Sequence, residues 1–239
     1  GGHRAAKAMR AVVVGCGYIG CALAGQLTEA GHEVAGVRRS PDGLERVAAI
    51  DDSVEAIRAD ATLPATLESL PDADTVVFAA SAGGRGADVA REVYVEGLRN
   101  VLEEYGMRAD PPDRLVYTSS TGVYGNHDGG WVDETTPIDP TTAKTRVLAT
   151  AETVALSEAT SYGIDGTVAR FAGLYGPDRY RLERYIEGPV TAGYLNMVHR
   201  DDAAGAVRYL LDADVARGEP VVVVDDEPVD KHAFADWLA

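Results

Sequence analysis

The stretch Ala11–Gly20 reads AVVVGCGYIG and decides the fold. Its first four residues are apolar and have the length of a buried strand. The glycines that follow have the spacing GxGxxG and lead into an amphipathic run, Tyr18–Ala30, that predicts a helix. Gly15 permits a tight turn, Gly17 lets a phosphate approach the backbone, and Gly20 lets helix and strand pack closely. The free amides of the helix start then face the phosphates of a dinucleotide.

The rest of the chain alternates short apolar runs with amphipathic runs. Strands are predicted after the first one at Val34–Val37, Val54–Arg58, Thr75–Ala80, Arg114–Ser119, Gly166–Phe171, Tyr194–Val198 and Val221–Val224. Helices are predicted between them at Leu44–Ile50, Ala87–Glu104, Thr142–Glu158, Asp201–Leu211 and Asp230–Ala239. This order predicts an α/β Rossmann fold, a doubly wound parallel sheet with helices on both faces.

The second predicted strand ends in Val37-Arg38-Arg39-Ser40. An NAD site usually has an acidic residue here to hold the ribose 2′-hydroxyl. Two guanidinium groups instead suit a 2′-phosphate by charge and geometry. The alternative is a solvated basic pair in a loop. We therefore expect NADP as the cofactor and consider NAD the less favoured choice.

The predicted cofactor contacts come from the glycine turn and from the carboxyl ends of the following strands. They are Gly15, Gly17, Tyr18, Ile19, Gly20, Arg38, Arg39, Ser40, Asp60, Ala61, Ala79, Ala80 and Ser81. Asp60 and Ala61 follow the third strand, where they would contact the adenine. A plain helix or loop cap is the alternative for Asp60.

The composition excludes several classes of partner. Asp and Glu number 38 against 22 Lys and Arg, a net charge of −16. Nucleic acid and acidic membrane surfaces need a basic face, so neither is expected as a partner. The cations include only three lysines, Lys7, Lys144 and Lys231. This balance is typical of proteins from salt-loving microbes; the alternative is an acidic protein from a GC-rich mesophile.

The two cysteines, Cys16 and Cys21, form neither a CxxC pair nor a Cys/His cluster. The spacing therefore supports no structural zinc and no disulfide framework, and we expect no metal. No apolar run approaches the ~18 residues of a membrane helix, and no secretory signal opens the chain. A cytoplasmic protein is the expectation.

Several segments together resemble the extended short-chain dehydrogenases/reductases, the nucleotide-sugar epimerase/dehydratase group. The segment Thr118–Gly125 reads TSSTGVYG and is similar to the SSxxVYG pattern of that family. Further similar segments are the GYIG of Gly17–Gly20, the helix pattern of Tyr94–Leu102, the R…YGP stretch from Arg170 to Pro177, and His199–Asp202, which resembles HVDD. The resemblance spans most of the chain and implies a Rossmann fold and a nicotinamide cofactor.

The chain departs from that family at several positions. The family glycine motif is GxxGxxG, one residue longer than the motif here, and Tyr94 and Gly173 replace asparagines. No tyrosine anywhere is followed four residues later by lysine, so the family's YxxxK pair is missing. The pattern resembles the atypical branch of the family, NAD(P)-dependent epimerase/dehydratase-like proteins with a degenerate active site.

The candidate catalytic residues are Ser120, Tyr124, His127 and Lys144. Ser120 matches the substrate-binding serine that the resemblance implies, and the other three could supply the proton that carbonyl chemistry requires. The alternatives are an exposed loop histidine, a lysine on a helix surface and a packing tyrosine. The leading hypothesis is an NADP-dependent oxidoreductase or nucleotide-sugar epimerase/dehydratase. The alternative is a catalytically inactive dinucleotide-sensing or regulatory module.

We expect one domain overall, organised in three parts. Residues 1–8 are a tag remnant or disordered arm before Met9, and residues 9–171 form the NAD(P)-binding Rossmann core. Residues 172–239 form a small substrate-binding part interleaved with the core, and we expect the natural protein to continue beyond Ala239. The expected partner is a small-molecule substrate such as a nucleotide sugar, bound by a monomer or homodimer.

Overall fold

A computed structural model describes residues 7–82, 85–179, 194–225 and 229–230 of the 239-residue chain. Its strands are β1 Arg10–Val14, β2 Glu33–Arg38, β3 Glu55–Arg58, β4 Thr75–Phe78, β5 Arg114–Ser120, β6 Asp165–Phe171, β7 Gly173–Tyr175, β8 Tyr194–Leu195, β9 Met197–His199, β10 Pro220–Val223 and β11 Val229–Asp230. Its α-helices are α1 Tyr18–Glu29, α2 Pro41–Ala48, α3 Ala87–Arg91, α4 Gly97–Gly106, α5 Ala143–Thr153 and α6 Arg200–Asp212.

Seven parallel strands form the central sheet in the order β10-β6-β5-β4-β1-β2-β3. β1 pairs with β2 on one side and with β4 on the other, so Val12 lies opposite both Ala35 and Val76. The strand order reverses at β1, which opens a crevice at the carboxyl ends of these strands. The predicted doubly wound parallel sheet is confirmed.

Helices cover both faces of the sheet. Successive side chains of each strand point to opposite faces, so apolar strands present a surface for helix packing on each side. In β1, Val12 packs into the core that contains Leu98 of α4 and Ala151 of α5. The next residue, Val13, packs into the second core with Leu23 of α1. The apolar runs of the sequence are therefore strands that are buried on both faces.

Two predicted helices contain segments that the apolar periodicity does not reveal. A π-helical segment, Glu92–Glu96, joins α3 to α4, and a second one, Val154–Glu158, continues α5. A 3₁₀ turn, Ala159–Tyr162, then leads to β6. A 3₁₀ helix, Pro64–Ser69, precedes β4, and another, Thr121–Tyr124, follows β5.

The region after β6 is built from short pairs. β7 pairs in parallel with β9, and β8 pairs antiparallel with β11. The predicted strand Tyr194–Val198 is interrupted at Asn196, whose carbonyl accepts a hydrogen bond from the Gly173 amide. β10 returns to the central sheet beside β6.

Some predictions lie outside the described residues. These are most of the arm at residues 1–8 and the helix predicted from Asp230 to Ala239, of which the structure describes only Asp230 at the end of β11. Within the described ranges, no helix is long and apolar enough to cross a membrane.

Candidate active-site cleft

A cleft of about 790 Å³ opens over the carboxyl ends of β1, β2, β4 and β5, where the strand order reverses. All the predicted cofactor-contact residues except Gly20 line it. Gly20 packs behind the turn, where an added Cβ would lie 3.0 Å from the carbonyl oxygen of Gly15 and 3.1 Å from a methyl of Val13. The structure thus brings together residues from four separate segments of the sequence.

The glycine turn is shaped by close backbone contacts. Gly15 has φ +82°, and a Cβ there would overlap the Cα of Ala80. The amides of Gly15 and Cys16 both donate to the carbonyl of Val37, at 3.1 and 3.0 Å, which ties the turn to β2. Only glycine fits at position 15, since it needs both the positive φ and the absent side chain.

Gly17 leaves open space of the kind a phosphate needs. An added Cβ would meet only Arg38 Nη1 at 3.8 Å and the Gly15 carbonyl at 3.9 Å, so it would project into the cleft. Gly17 is the N-cap of α1 and provides no side-chain cap to the first amides of the helix. Such amides bind anions readily, and the turn therefore fits the pyrophosphate of a dinucleotide.

The basic pair at the end of β2 divides into one fixed and one exposed group. Arg38 Nη1 donates to the Cys16 carbonyl at 3.1 Å, and its guanidinium packs closely over Gly43. Ser40 caps α2 by accepting a hydrogen bond from the Gly43 amide at 3.1 Å. Arg39 is exposed on the rim of the cleft. Arg39 is therefore the guanidinium with the greatest freedom to reach a ligand.

The cleft is positively charged in a strongly acidic protein. Among the described residues, four cations line it, namely Arg38, Arg39, Lys144 and Arg179, against the single carboxylate of Asp60. Asp60 accepts hydrogen bonds from the amide and hydroxyl of Thr62 at 2.9 and 2.7 Å, so it caps the turn after β3 while it faces the cleft. The charge distribution favours an anionic ligand.

Two of the four candidate catalytic residues, Ser120 and Lys144, line the cleft. Ser120 ends β5 and its Oγ accepts a hydrogen bond from the Gly122 amide at 3.0 Å. Lys144 is exposed in the first turn of α5, which begins after the N-cap Thr142. Leu148 lies one turn further along α5 and also lines the cleft. Lys144 and Leu148 thus have the spacing of the missing YxxxK pair.

The other two candidates, Tyr124 and His127, are not among the described residues that line the cleft. Tyr124 is 2% exposed, and its hydroxyl accepts a hydrogen bond from Arg170 Nη1 at 2.8 Å. Burial raises the pKa of the Tyr124 phenol. His127 is an exposed loop residue whose Nε2 lies 2.8 Å from the Tyr124 carbonyl oxygen. Neither residue joins Ser120 and Lys144 in the described lining of the cleft.

A buried polar network lies beneath the cleft and was missed by sequence reasoning. Glu152 of α5 accepts hydrogen bonds from Ser119 Oγ at 2.6 Å and from Arg170 Nη2 and Nε at 2.7 and 3.0 Å. Arg170 then reaches Tyr124. The signal in the sequence was an arginine inside the apolar strand 166–171. The network joins β5, β6 and α5 behind Ser120.

Tyr18 of the glycine turn contacts the region that follows β7. Its hydroxyl donates to the Pro177 carbonyl at 2.8 Å, and the guanidinium carbons of Arg179 and Arg200 lie 4.3 and 5.1 Å from its ring centroid. Gly176 packs against the Tyr18 hydroxyl with φ +148°. The YGP stretch and the start of α6 are thereby fixed to the glycine turn.

Comparison with known proteins identifies similar chains. The family model described as NAD dependent epimerase/dehydratase matches residues 11–217. Protein YeeZ of Escherichia coli strain K12 is 32% identical over 210 residues, which cover 85% of this chain and 73% of YeeZ.

Solved structures give the same result for the fold. A Methylobacillus flagellatus protein provisionally described as an NAD-dependent epimerase/dehydratase has a TM-score of 0.80 and 31% identity, covering 98% of this chain and 81% of its own. The dTDP-glucose 4,6-dehydratase of Bacillus anthracis, solved in complex with NAD, has a TM-score of 0.80 and 20% identity, covering 97% of this chain and 80% of its own.

Proposed function

Because the chain belongs to the NAD-dependent epimerase/dehydratase family, we propose that it binds NADP(H) in the cleft. With this cofactor it acts as an oxidoreductase or epimerase/dehydratase on a small molecule, with nucleotide sugars as the leading substrate class. The single observation that carries the proposal is the charge of the cleft: its described lining residues include four cations and one carboxylate, in a chain of net charge −16. Both the cofactor and a nucleotide sugar are polyanions, so this lining suits them.

The choice of NADP rests on the end of β2. Arg39 is exposed on the cleft rim and no acidic residue lies in Val37–Ser40 to accept a ribose 2′-hydroxyl. A guanidinium there can form charge-assisted hydrogen bonds to a 2′-phosphate. These bonds are absent with NAD, which has no phosphate at that position.

The chain's own residues would handle the proton. A bound nicotinamide would supply the hydride donor or acceptor. Ser120 Oγ already accepts a hydrogen bond from the Gly122 amide, so its own proton is directed away from that amide and can be donated to a substrate oxygen. The Lys144 ammonium has three N–H donors and can stabilise an oxyanion or transfer a proton to it.

Calorimetric titration with NADPH and NADH tests the cofactor choice. We expect NADPH to bind more tightly by ~1.5–3 kcal/mol, the range for a hydrogen bond to a charged group. Arg39→Ala should remove this preference and leave NADH binding unchanged. Arg46→Ala is the matched control, because Arg46 is exposed on α2 outside the lining of the cleft. Equal affinity for the two cofactors, or an equal loss in both variants, refutes the proposal.

Turnover of nucleotide sugars and small carbonyl compounds with NADPH, followed by absorbance, tests the chemistry. Loss of a general acid typically costs ~10²–10⁴ in rate, and we expect a loss of this order for Lys144→Ala. Ser120→Ala should also lower the rate, whereas His127→Ala should not, since His127 lies away from the cleft lining. Full activity in both cleft variants refutes the assignment.

A binding module without catalysis is the second candidate function. The observation in its favour is Leu148, which is 7% exposed and occupies the cleft-facing position one turn after Lys144. An apolar side chain there offers no proton. Tight NADPH binding with no turnover of any substrate class tested would select this alternative.

A further inference from the structure

The two cysteines meet at the glycine turn. Their sulfur atoms lie 3.8 Å apart, and the Cys21 sulfur is also 3.1 Å from the Cys16 carbonyl oxygen. Both are free thiols. The sequence, which has no CxxC pair, supports no disulfide framework, but the turn between β1 and α1 folds the chain back and brings the two sulfur atoms together. Cys16 is fully buried, whereas Cys21, in the first turn of α1, is only partly buried.

The surroundings of the pair favour a thiolate on Cys21. The hydrogen bond from Cys16 and the nearby guanidinium groups of Arg38, Arg46 and Arg200 lower the pKa of Cys21 to about 7. The same hydrogen bond, together with burial, raises the pKa of Cys16. The pair therefore loses its first proton from the more accessible sulfur, and a thiolate is the reactive form of cysteine.

We propose that Cys16 and Cys21 are a reversible oxidation site, in which a disulfide forms across the glycine turn and weakens dinucleotide binding. The oxidant is a hydroperoxide. Only the second part, the loss of dinucleotide binding, rests on the proposed function. The crosslink itself stands on the distance between the two sulfurs and on the accessibility of Cys21.

The reaction balances in two steps. The Cys21 thiolate attacks the peroxide, so that an S–O bond forms, the O–O bond breaks, and the leaving oxygen takes up a proton to become water or an alcohol. The Cys16 sulfur then attacks the Cys21 sulfenic acid. The S–S bond forms, the S–O bond breaks, and the hydroxide leaves as water with the Cys16 proton. Two thiols are oxidised and one peroxide is reduced.

Crosslinking must move the turn. A disulfide bond is ~2.05 Å long, so the sulfur atoms, now 3.8 Å apart, must approach by about 1.8 Å. The helix side resists this shift because Leu23 and Ala24 of α1 are fully packed in the core. Cys16 is buried in the same core, so the approach of the two sulfur atoms must strain the turn, in which the Cys16 amide bonds to Val37 and the Cys16 carbonyl holds Arg38. Both the glycine turn and the Arg38 guanidinium beside it depend on the position of Cys16.

The experiment treats the purified full chain with hydrogen peroxide and scores three signals. Intact mass and a non-reducing peptide map report the crosslink, which removes two hydrogens. Hydrogen exchange of the peptide containing Gly15–Gly17 reports the turn, and calorimetry reports NADPH binding. We expect the crosslink, faster exchange in that peptide and at least a tenfold weaker NADPH affinity. Dithiothreitol should reverse all three changes.

Cys21→Ser is the matched control, since this residue is not among those lining the cleft. It should keep NADPH binding under peroxide, and Cys16→Ser should stop at a sulfenic acid that dimedone traps. The proposed crosslink is refuted if the thiols stay free or oxidise only to sulfinic and sulfonic acids. If the crosslink forms but hydrogen exchange of the turn stays unchanged, the proposed effect of the crosslink on the dinucleotide site is refuted. Because mass and exchange need no ligand, a protein that never binds NADPH refutes the proposed function separately.

Discussion

Replacing Glu152 by alanine should destabilise the protein far more than removing a similar carboxylate at the surface. Glu152 and Arg170 form an ion pair at 2.7 Å with side chains 3% and 6% exposed. Truncation leaves the Arg170 guanidinium buried without its countercharge, which typically costs ~3–5 kcal/mol. For a chain of this size, each kcal/mol shifts the melting temperature by roughly 2–4 °C, so a fall of about 6–20 °C is expected.

Glu158→Ala is the matched control. Its carboxylate pairs with Arg99 at 2.9 Å, but the two side chains are 44% and 40% exposed. An exposed pair contributes about 0.2–1 kcal/mol. Urea unfolding followed by circular dichroism, together with thermal melts, gives the two values. A Glu152→Ala loss below about 1 kcal/mol, or one equal to that of the control, refutes the reasoning. The double variant Glu152→Ala/Arg170→Met should recover part of the loss, because it removes the orphaned charge.

Two further predictions concern the glycine turn and the net charge. Gly17→Val should abolish dinucleotide binding with little effect on the melting temperature, because the new side chain projects into the cleft. Gly15→Ala should lower the melting temperature, because position 15 has a positive φ and an added Cβ would overlap Ala80. Normal NADPH binding by Gly17→Val would place the phosphate site elsewhere. The melting temperature should rise with KCl from low to molar concentration, because screening relieves the repulsion of a −16 chain; a flat response would contradict the salt-adapted interpretation.

The sheet could be predicted from sequence because its strands are short apolar runs separated by helix periodicity. Ala11–Val14 and Thr75–Phe78 are buried on both faces, so every residue of each run is apolar or small. The elements that were missed depend on tertiary contacts. The strand β7, for example, forms only because Gly173–Tyr175 pairs with Met197–His199, more than twenty positions further along the chain. No local pattern encodes that pairing.

The cleft residues could be located in the same way, since ligands of such sheets bind at the carboxyl ends of the strands. The direction in which individual side chains point could not be predicted from the sequence. Tyr124 follows Ser120 by four residues, but it is the last residue of the 3₁₀ turn Thr121–Tyr124, and its side chain points into the core. Its partner Arg170 is set by the register of β5 and β6, in which Ser119 lies opposite Arg170. Such a network becomes visible only when two strands are aligned.

The two arginines at the end of β2 are not equivalent, although the sequence presents them as a pair. Arg38 holds the Cys16 carbonyl and packs over Gly43, so it is part of the framework that shapes the glycine turn. Its loss would disturb the phosphate site and weaken NADPH and NADH together. Arg39 is exposed on the rim, and a contact from it to a 2′-phosphate would favour NADPH alone. We therefore expect Arg39→Ala to lower the preference for NADPH over NADH, and Arg38→Ala to weaken the binding of both cofactors.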